Sequence, residues 1–236
     1  MNKRIRYKSL LPIYLGLLSS VLLLTMFGSR AVSVISMNAP IDCNKTVIID
    51  AGHGGVDGGT ISCTGVSESM INLEIALKLN DLMHLLGIHT IMIRETDISV
   101  YTKGDTIAQK KISDLKERVQ IINSVPDAIV ISIHQNHFPD ARYSGAQVFY
   151  APTDGSQQLA ESLQTALIKN VNPTSNRHTK KADGIYLMQH IHCPAVLVEC
   201  GFLSNRNEEY KLRTKEYQQH ICTVIACCAS NYLFST

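Results

Sequence analysis

Tryptophan is absent from the 236 residues, and Tyr and Phe number only 9 and 5. So thin an aromatic supply argues against a stacking platform for bases or sugars. Charge of one sign is also lacking. Lys and Arg total 22 against 20 Asp and Glu, a formal net charge of +2. No basic footprint of the kind nucleic-acid binders carry is present, so no nucleic-acid partner is expected. There is no G-x-G-x-x-G and no Walker lysine, which excludes dinucleotide and P-loop chemistry. The seven cysteines (Cys43, Cys63, Cys193, Cys200, Cys222, Cys227, Cys228) are odd in number, and no pair has zinc-finger spacing. A full disulfide framework is therefore not expected. Cys222, Cys227 and Cys228 fall in an apolar stretch and read as small core residues.

What is present begins at the N-terminus. Lys3, Arg4, Arg6 and Lys8 precede an apolar run from Leu10 to Phe27. A basic segment before an apolar stretch is an export signal. The run is close to the roughly 20 residues that span a bilayer, so residues 1–28 read as a signal peptide or a signal anchor. The positive charges would hold the N-terminus inside and send the rest outward, giving an exported, membrane-anchored or secreted protein. Residues 29–44, with Pro40, read as a linker, and 45–236 as one domain with a sizeable core.

Within that domain, Thr46–Asp50 is a β-branched run ended by Ala-Gly-His-Gly-Gly, a buried strand entering a turn. Ile71, Ile75, Leu79, Leu82 and Leu86 recur at helical spacing from Glu68 onward, and Gly87 stops that helix. Strands are predicted at 88–93, 128–133, 147–150, 185–188 and 195–198, and helices around Leu115–Ile122, from a Ser156 cap through Leu167, and from Tyr217 to Tyr232. Residues 96–113 read as a loop. Alternating strands and helices predict an α/β single domain, a mostly parallel twisted sheet with helices on both faces, preceded by the N-terminal apolar helix. In such folds the ligand site lies outside the carboxyl ends of the strands.

Four polar residues fall at or near those ends. His53 sits among glycines that leave its ring unobstructed. Glu68 heads the helix after the first strand. His134 follows Ile-Ser-Ile, and Glu199 follows Ala-Val-Leu-Val. Taken singly, each has an ordinary explanation: a turn histidine, a first-turn carboxylate favoured by the helix dipole, a satisfied core histidine, a structural ion pair. Glu199 resists this most, because a carboxylate after an apolar strand is rarely buried without a partner. Taken jointly, two imidazoles and a carboxylate make the ligand set of hydrolytic zinc sites that keep one position for water, and a further carboxylate supplies the general base. His137 and the His190-Ile-His192 pair are weaker metal candidates. Asp50 or Asp57 is placed to orient the His53 ring.

These segments together resemble the zinc-dependent N-acetylmuramoyl-L-alanine amidases of the amidase-3 type. The likeness rests on Ile49–Gly59, on Glu68 with Asn72-Leu73, and on Met92–Asp97. It continues through Leu115–Arg118, Ser132–Asn136 and Pro194–Asn205. Ser144-Gly-Ala-Gln and Gly184–Gln189 are most similar to the germination-specific, spore-cortex members. The resemblance implies His53, Glu68 and His134 as ligands of one Zn2+ and Glu199 as the catalytic carboxylate. Asn136 and Arg94 become candidates for contacts to the substrate or behind the ligands. It also implies peptidoglycan as substrate, with cleavage between N-acetylmuramic acid and L-alanine, feeding muramic-δ-lactam formation in spores. An accessory activator protein would fit as a partner. Ser69, His137 and Cys200 depart from the usual pattern without touching the four central residues. The stretch between His134 and Glu199 is too short for the inhibitory helical insertion of some relatives. Two other readings fit the residues: another zinc peptidoglycan hydrolase (a carboxypeptidase or deacetylase) and a non-catalytic wall-binding module. Cleavage products separate the first from an amidase, and metal content separates the second.

Overall fold

The computed structural model describes residues 45–235. The expected export helix (1–28) and linker (29–44) lie outside the described residues. Within them, no helix is long and apolar enough to cross a membrane.

Six strands form one sheet: β1 (Thr46–Ala51), β2 (Thr90–Met92), β3 (Ala128–Asn136), β4 (Gln147–Tyr150), β5 (Lys180–Lys181) and β6 (Ala195–Phe202). Their order is β2-β1-β3-β6-β4-β5. The helices are α1 (Glu68–Leu85), α2 (Ile107–Asn123), α3 (Ser156–Asn170), α4 (Tyr186–His190), α5 (Arg206–Leu212) and α6 (Lys215–Ser235). α1 and α3 pack on the sheet, and α6 packs across both of them. On the opposite face Ile48, Val130 and Leu197 share a core cluster with Ile122 of α2 and Leu187 and Met188 of α4. Burial on both faces explains why β1, β3 and β6 are continuously apolar.

The sheet is mixed, which corrects the expectation of a mostly parallel one at its β4 edge. β2, β1, β3 and β6 run parallel, but β4 runs antiparallel to β6, and β5 follows β4 in parallel. The reason lies in the connection. A parallel return needs a crossover of a dozen or more residues, usually a helix. Only the loop 137–146 separates β3 from β4, and it carries no helix. The chain therefore turns back where β3 ends. As a result the N-terminal end of β4 lies beside the C-terminal end of β6.

Three further expectations are corrected. The segment 96–113 read as a loop, but α2 begins at Ile107. Thr106 accepts from the Gln109 N–H while the Gln109 side chain reaches back, a capping box written in the sequence as Thr-x-x-Gln. Ser156 is the first helical residue rather than the cap. Left-handed Gly155 (φ 80) takes the cap position, and the Ser156 hydroxyl, instead of accepting from an N–H of the helix, accepts from the Ala195 N–H at 2.8 Å. Residues 185–188 are helical rather than extended. Leu187 and Met188 are adjacent and both buried in the same cluster, which one helical turn permits and a strand with alternating faces does not.

Candidate active site

The chain leaves β1 through Gly52 and enters a left-handed turn at His53 (φ 61), a conformation few non-glycine residues adopt. Two buried arginines hold it there. Arg94, which is 2% exposed, donates to the carbonyls of Ala51 (2.8 Å), Gly52 (3.0 Å), Ser69 (2.9 Å) and Thr96 (3.0 Å). It ties the turn after β1 to the start of α1. Arg118, also 2% exposed, donates to the His53 carbonyl at 2.7 Å and the Ala51 carbonyl at 3.1 Å. It pairs with Asp114 at 2.7 Å and, more closely, with Asp50. Burial alone would raise the Asp50 carboxyl, but Arg118 and the Ser132 hydroxyl (2.6 Å) outweigh it and hold it below the usual range.

That scaffold aims His53 at Glu68. The His53 Nδ1 meets Asp57 Oδ2 at 2.9 Å, leaving Nε2 to face Glu68 Oε2 at 3.4 Å. Glu68 Oε1 lies 3.0 Å from His134 Nδ1. Burial opposes the charged form of His53, yet hydrogen bonds to Asp57 and Glu68 prevail and raise it to about 9. Glu68 is likewise disfavoured as an anion by burial, and the two histidines more than compensate, holding it well below the usual carboxylate range. Its remaining lone pairs accept from the N–H groups of Thr60 (3.0 Å) and Gln135 (3.1 Å) and from Asn72 Nδ2 (3.3 Å).

Among the described residues, His53, Glu68 and His134 are the one cluster with metal-ligand character, their ligand atoms lying within 4.8 Å of one another. His137, His190 and His192 are not part of it. His190 instead stacks on Tyr186 with ring centroids 4.0 Å apart. The donor set suits a divalent cation on three counts. Two imidazoles and a carboxylate are a hydrolytic zinc set. The His53 nitrogen that faces the cluster is fixed by the Asp57 bond on the other nitrogen, as metal-ligating histidines usually are. The backbone around them is cut to size: a Cβ on Gly52 would come within 2.1 Å of His134 Nε2, and one on Gly59 within 2.7 Å of Glu68 Oε2. Gly52→Ala is accordingly expected to displace the His134 ring and lower metal affinity at least tenfold, within the range lost when ligand-orienting contacts are removed. Metal titration of the variant checks this, and unchanged affinity would show that the ring has another way to fit.

Glu199 completes the arrangement. It is the register partner of His134 across β3 and β6, and paired residues on neighbouring strands share a face. Both strands run past these residues, so His134 and Glu199 stand inside strands rather than at their tips. The Glu199 Oε2 is shielded from water and has no hydrogen-bond partner. Burial pushes its carboxyl up to about 7. The histidines pull it down and Glu68 pushes it further up. A carboxyl poised near neutrality beside a cation site can accept and return a proton at working pH. Asn136 ends β3, and its backbone carbonyl accepts from the Leu203 N–H at 2.8 Å.

The amidase-3 family, described as N-acetylmuramoyl-L-alanine amidase, matches residues 47–229. The chain belongs to this family. It is 34% identical over 227 residues to the germination-specific N-acetylmuramoyl-L-alanine amidase of Bacillus subtilis, covering 95% of this chain and 93% of that one. Among solved structures it is similar to the CwlD amidase of Clostridioides difficile, determined in complex with the GerS lipoprotein. There the identity is 40% and the TM-score 0.78, over 82% of this chain and 100% of that one. A second N-acetylmuramoyl-L-alanine amidase from Clostridium difficile matches at 30% identity and a TM-score of 0.71, over 81% of this chain and 98% of that one.

Beside the four central residues, the amidase relies on a supporting layer only partly legible in sequence. Asn72 lies one turn after Glu68 on α1, and its amide bridges Glu68 Oε1 and the Gly52 carbonyl (3.1 Å). Its i, i+4 spacing from Glu68 was the available signal. Lys111 pairs with Asp57 at 3.1 Å, behind the His53 ring. Nothing in its exposed, polar stretch of sequence distinguishes it.

Proposed function

We propose that this amidase is zinc-dependent and hydrolyses the amide between N-acetylmuramic acid and L-alanine in peptidoglycan, in the service of spore cortex maturation. The observation that carries this reading is the Glu199 carboxyl, whose Oε2 has no hydrogen-bond partner, in register with His134 beside the His53–Glu68–His134 cluster. His53, Glu68 and His134 would hold the ion. Zinc in such a site supplies a Lewis acid that makes water acidic near neutral pH and polarises the scissile carbonyl. The chain's own side chains do the rest. Glu199 takes the proton of the attacking water and returns it to the departing amine of L-alanine, a double duty its near-neutral pKa suits. Asp57 keeps the His53 ring in one tautomer and one orientation. Arg94 and Arg118 hold the turn that presents it. Asn136, beside this row, is offered as a substrate contact.

The likeness to the germination-specific amidase of Bacillus subtilis supports the cortex role. The complex of the Clostridioides difficile relative with a lipoprotein supports an accessory partner for this chain as well. The basic and apolar N-terminal segments support export, with the domain acting outside the cytoplasm at the membrane or free of it.

The deciding experiment measures zinc in the purified full chain and analyses its digestion of peptidoglycan by mass. About one zinc per chain, as a site with three protein ligands holds, with stem peptides beginning in L-alanine and intact glycan, is the expected result. His134→Ala should lose most of that zinc. Zinc with other products would overturn the bond assignment, and unchanged zinc in His134→Ala would remove it as a ligand. In a sporulating host lacking the gene, cortex devoid of muramic-δ-lactam is expected, and normal lactam content would refute the cortex role.

A further inference from the structure

The row of side chains that begins at His134 does not stop at Glu199. Gln147 of β4 is the register partner of Glu199 on its other side, so His134, Glu199 and Gln147 lie in line across three neighbouring strands. Gln147 is buried and spends its amide on the next residues along: its Oε1 accepts from Arg177 Nη1 at 3.0 Å and its Nε2 donates to the His178 carbonyl at 2.8 Å. Arg177 is further fixed by donation to the Ser144 carbonyl (2.7 Å) and by lying 4.5 Å over the ring of Phe202. It stands at a cavity of about 520 Å³ that His178 and Lys180 also line.

This cavity is rich in unneutralised positive charge. Among the described residues, neither Arg177 nor Lys180 forms an ion pair, whereas Arg142 at the rim is already taken by Asp140. Glu208 is the carboxylate whose field reaches Arg177, but it accepts from the N–H groups of Gly145 and Phe202. A guanidinium held in place without a carboxylate is prepared for an anion from outside.

We propose that this groove is the specificity site for the leaving peptide, reading a carboxylate two or three residues beyond the L-alanine that is released. The proposal rests on the amidase reading above. The reach is right: neighbouring strands are about 4.8 Å apart and an extended peptide advances about 3.3 Å per residue, so two strand spacings correspond to about three residues. The antiparallel run of β4 puts Gln147 and the segment before β5 at the catalytic edge of the sheet. Arg177 and Lys180 are binding residues in this account and take no part in bond cleavage.

The test compares two short peptides headed by L-alanine, one with its side carboxylates free and one with them amidated. Binding to the full chain is measured by calorimetry, and cleavage of the corresponding muramoyl peptides by kcat and KM. The free-acid form should bind about 10- to 100-fold more tightly, the range of one or two charge-assisted hydrogen bonds. Arg177→Gln should abolish that preference and raise KM by a similar factor with kcat little changed. Lys180→Glu provides the same readout at an exposed side chain without a partner, where misfolding is not at issue. Equal affinity for the two peptides in the unaltered chain, or a preference that survives both variants, would overturn the proposal. Loss of cleavage with the binding preference intact would count against the amidase reading and not against the groove.

Discussion

Glu199→Gln should abolish hydrolysis while leaving zinc bound. The amide has the shape of the carboxylate but cannot take a proton from water, and it lies outside the three residues whose ligand atoms converge. Positioned general acid–base catalysis is worth about 100- to 10,000-fold, and here one group serves in both directions, so a loss at the upper end is expected. Zinc analysis and kcat on purified peptidoglycan check both halves together. Retained activity would remove Glu199 from the mechanism, and lost zinc would make it a ligand. The pH profile of the unaltered enzyme bears on the same point. Burial raises the Glu199 carboxyl to about 7. A base must be deprotonated to act, so kcat/KM should fall as pH drops through that value and level off above it. The variant's residual rate should lack this limb.

The second large effect is on stability. Arg118→Met should destabilise the domain by about 3–5 kcal/mol, the cost of removing one partner from a buried ion pair. The reason is what it leaves behind. Asp50 is 1% exposed and its carboxylate faces Arg118 and Ser132 from inside the sheet. Without the guanidinium it is an unpaired buried anion, the His53 carbonyl loses this donor, and the Ala51 carbonyl keeps Arg94 alone of its two arginines. For a domain of this size the fall in Tm is roughly 10 °C, readable by circular dichroism. A shift under about 2 °C would mean that water or another cation replaces the guanidinium. Removing both charges, with Asp50→Asn added, should cost less than Arg118→Met alone. The same pair governs acid sensitivity. The Asp50 carboxyl is held below its ordinary value in the folded state. Its contribution is therefore complete above about pH 4, the unfolded value, and drains away as pH falls towards the folded one.

Much of this was written plainly in the sequence. The β-branched run before Gly-His-Gly-Gly, the continuous apolar strands at 128–133 and 195–198, and the Leu/Ile spacing of α1 located β1, β3, β6 and the principal helix. The topology then brought His53, Glu68 and His134 together in a cluster whose ligand atoms could hold a metal, with Glu199 on the adjoining strand. What escaped depended on partners far along the chain. Nothing local in Ile185–Met188 reveals that both Leu187 and Met188 sink into one cluster, so its apolar run reads as a strand. The reversal of β4 follows from a connection without a helix, a property of the loop rather than of the strand it precedes. The partners of Arg94, a candidate for contacts to the substrate or behind the ligands, were of this kind too: four backbone carbonyls, of which those of Gly52 and Ser69 adjoin His53 and Glu68. Arg118 did leave a trace. It shares a helix face with Leu115, Val119 and Ile122, and a cation there needs a buried partner.

The reversed strand also divides labour along the chain. The His53–Glu68–His134 cluster is built from segments that feed parallel strands and α1, all upstream of residue 137. The basic groove is built mainly from the loop 137–146 and the segment 171–179, with Gln147 and Lys180 added from the first residues of β4 and β5. Changes of length or charge in those two connections can retune which peptide is accepted while the hydrolytic core stays as it is. Exchanging them between family members is thus a route to grafting substrate preference, with turnover chemistry inherited from the recipient.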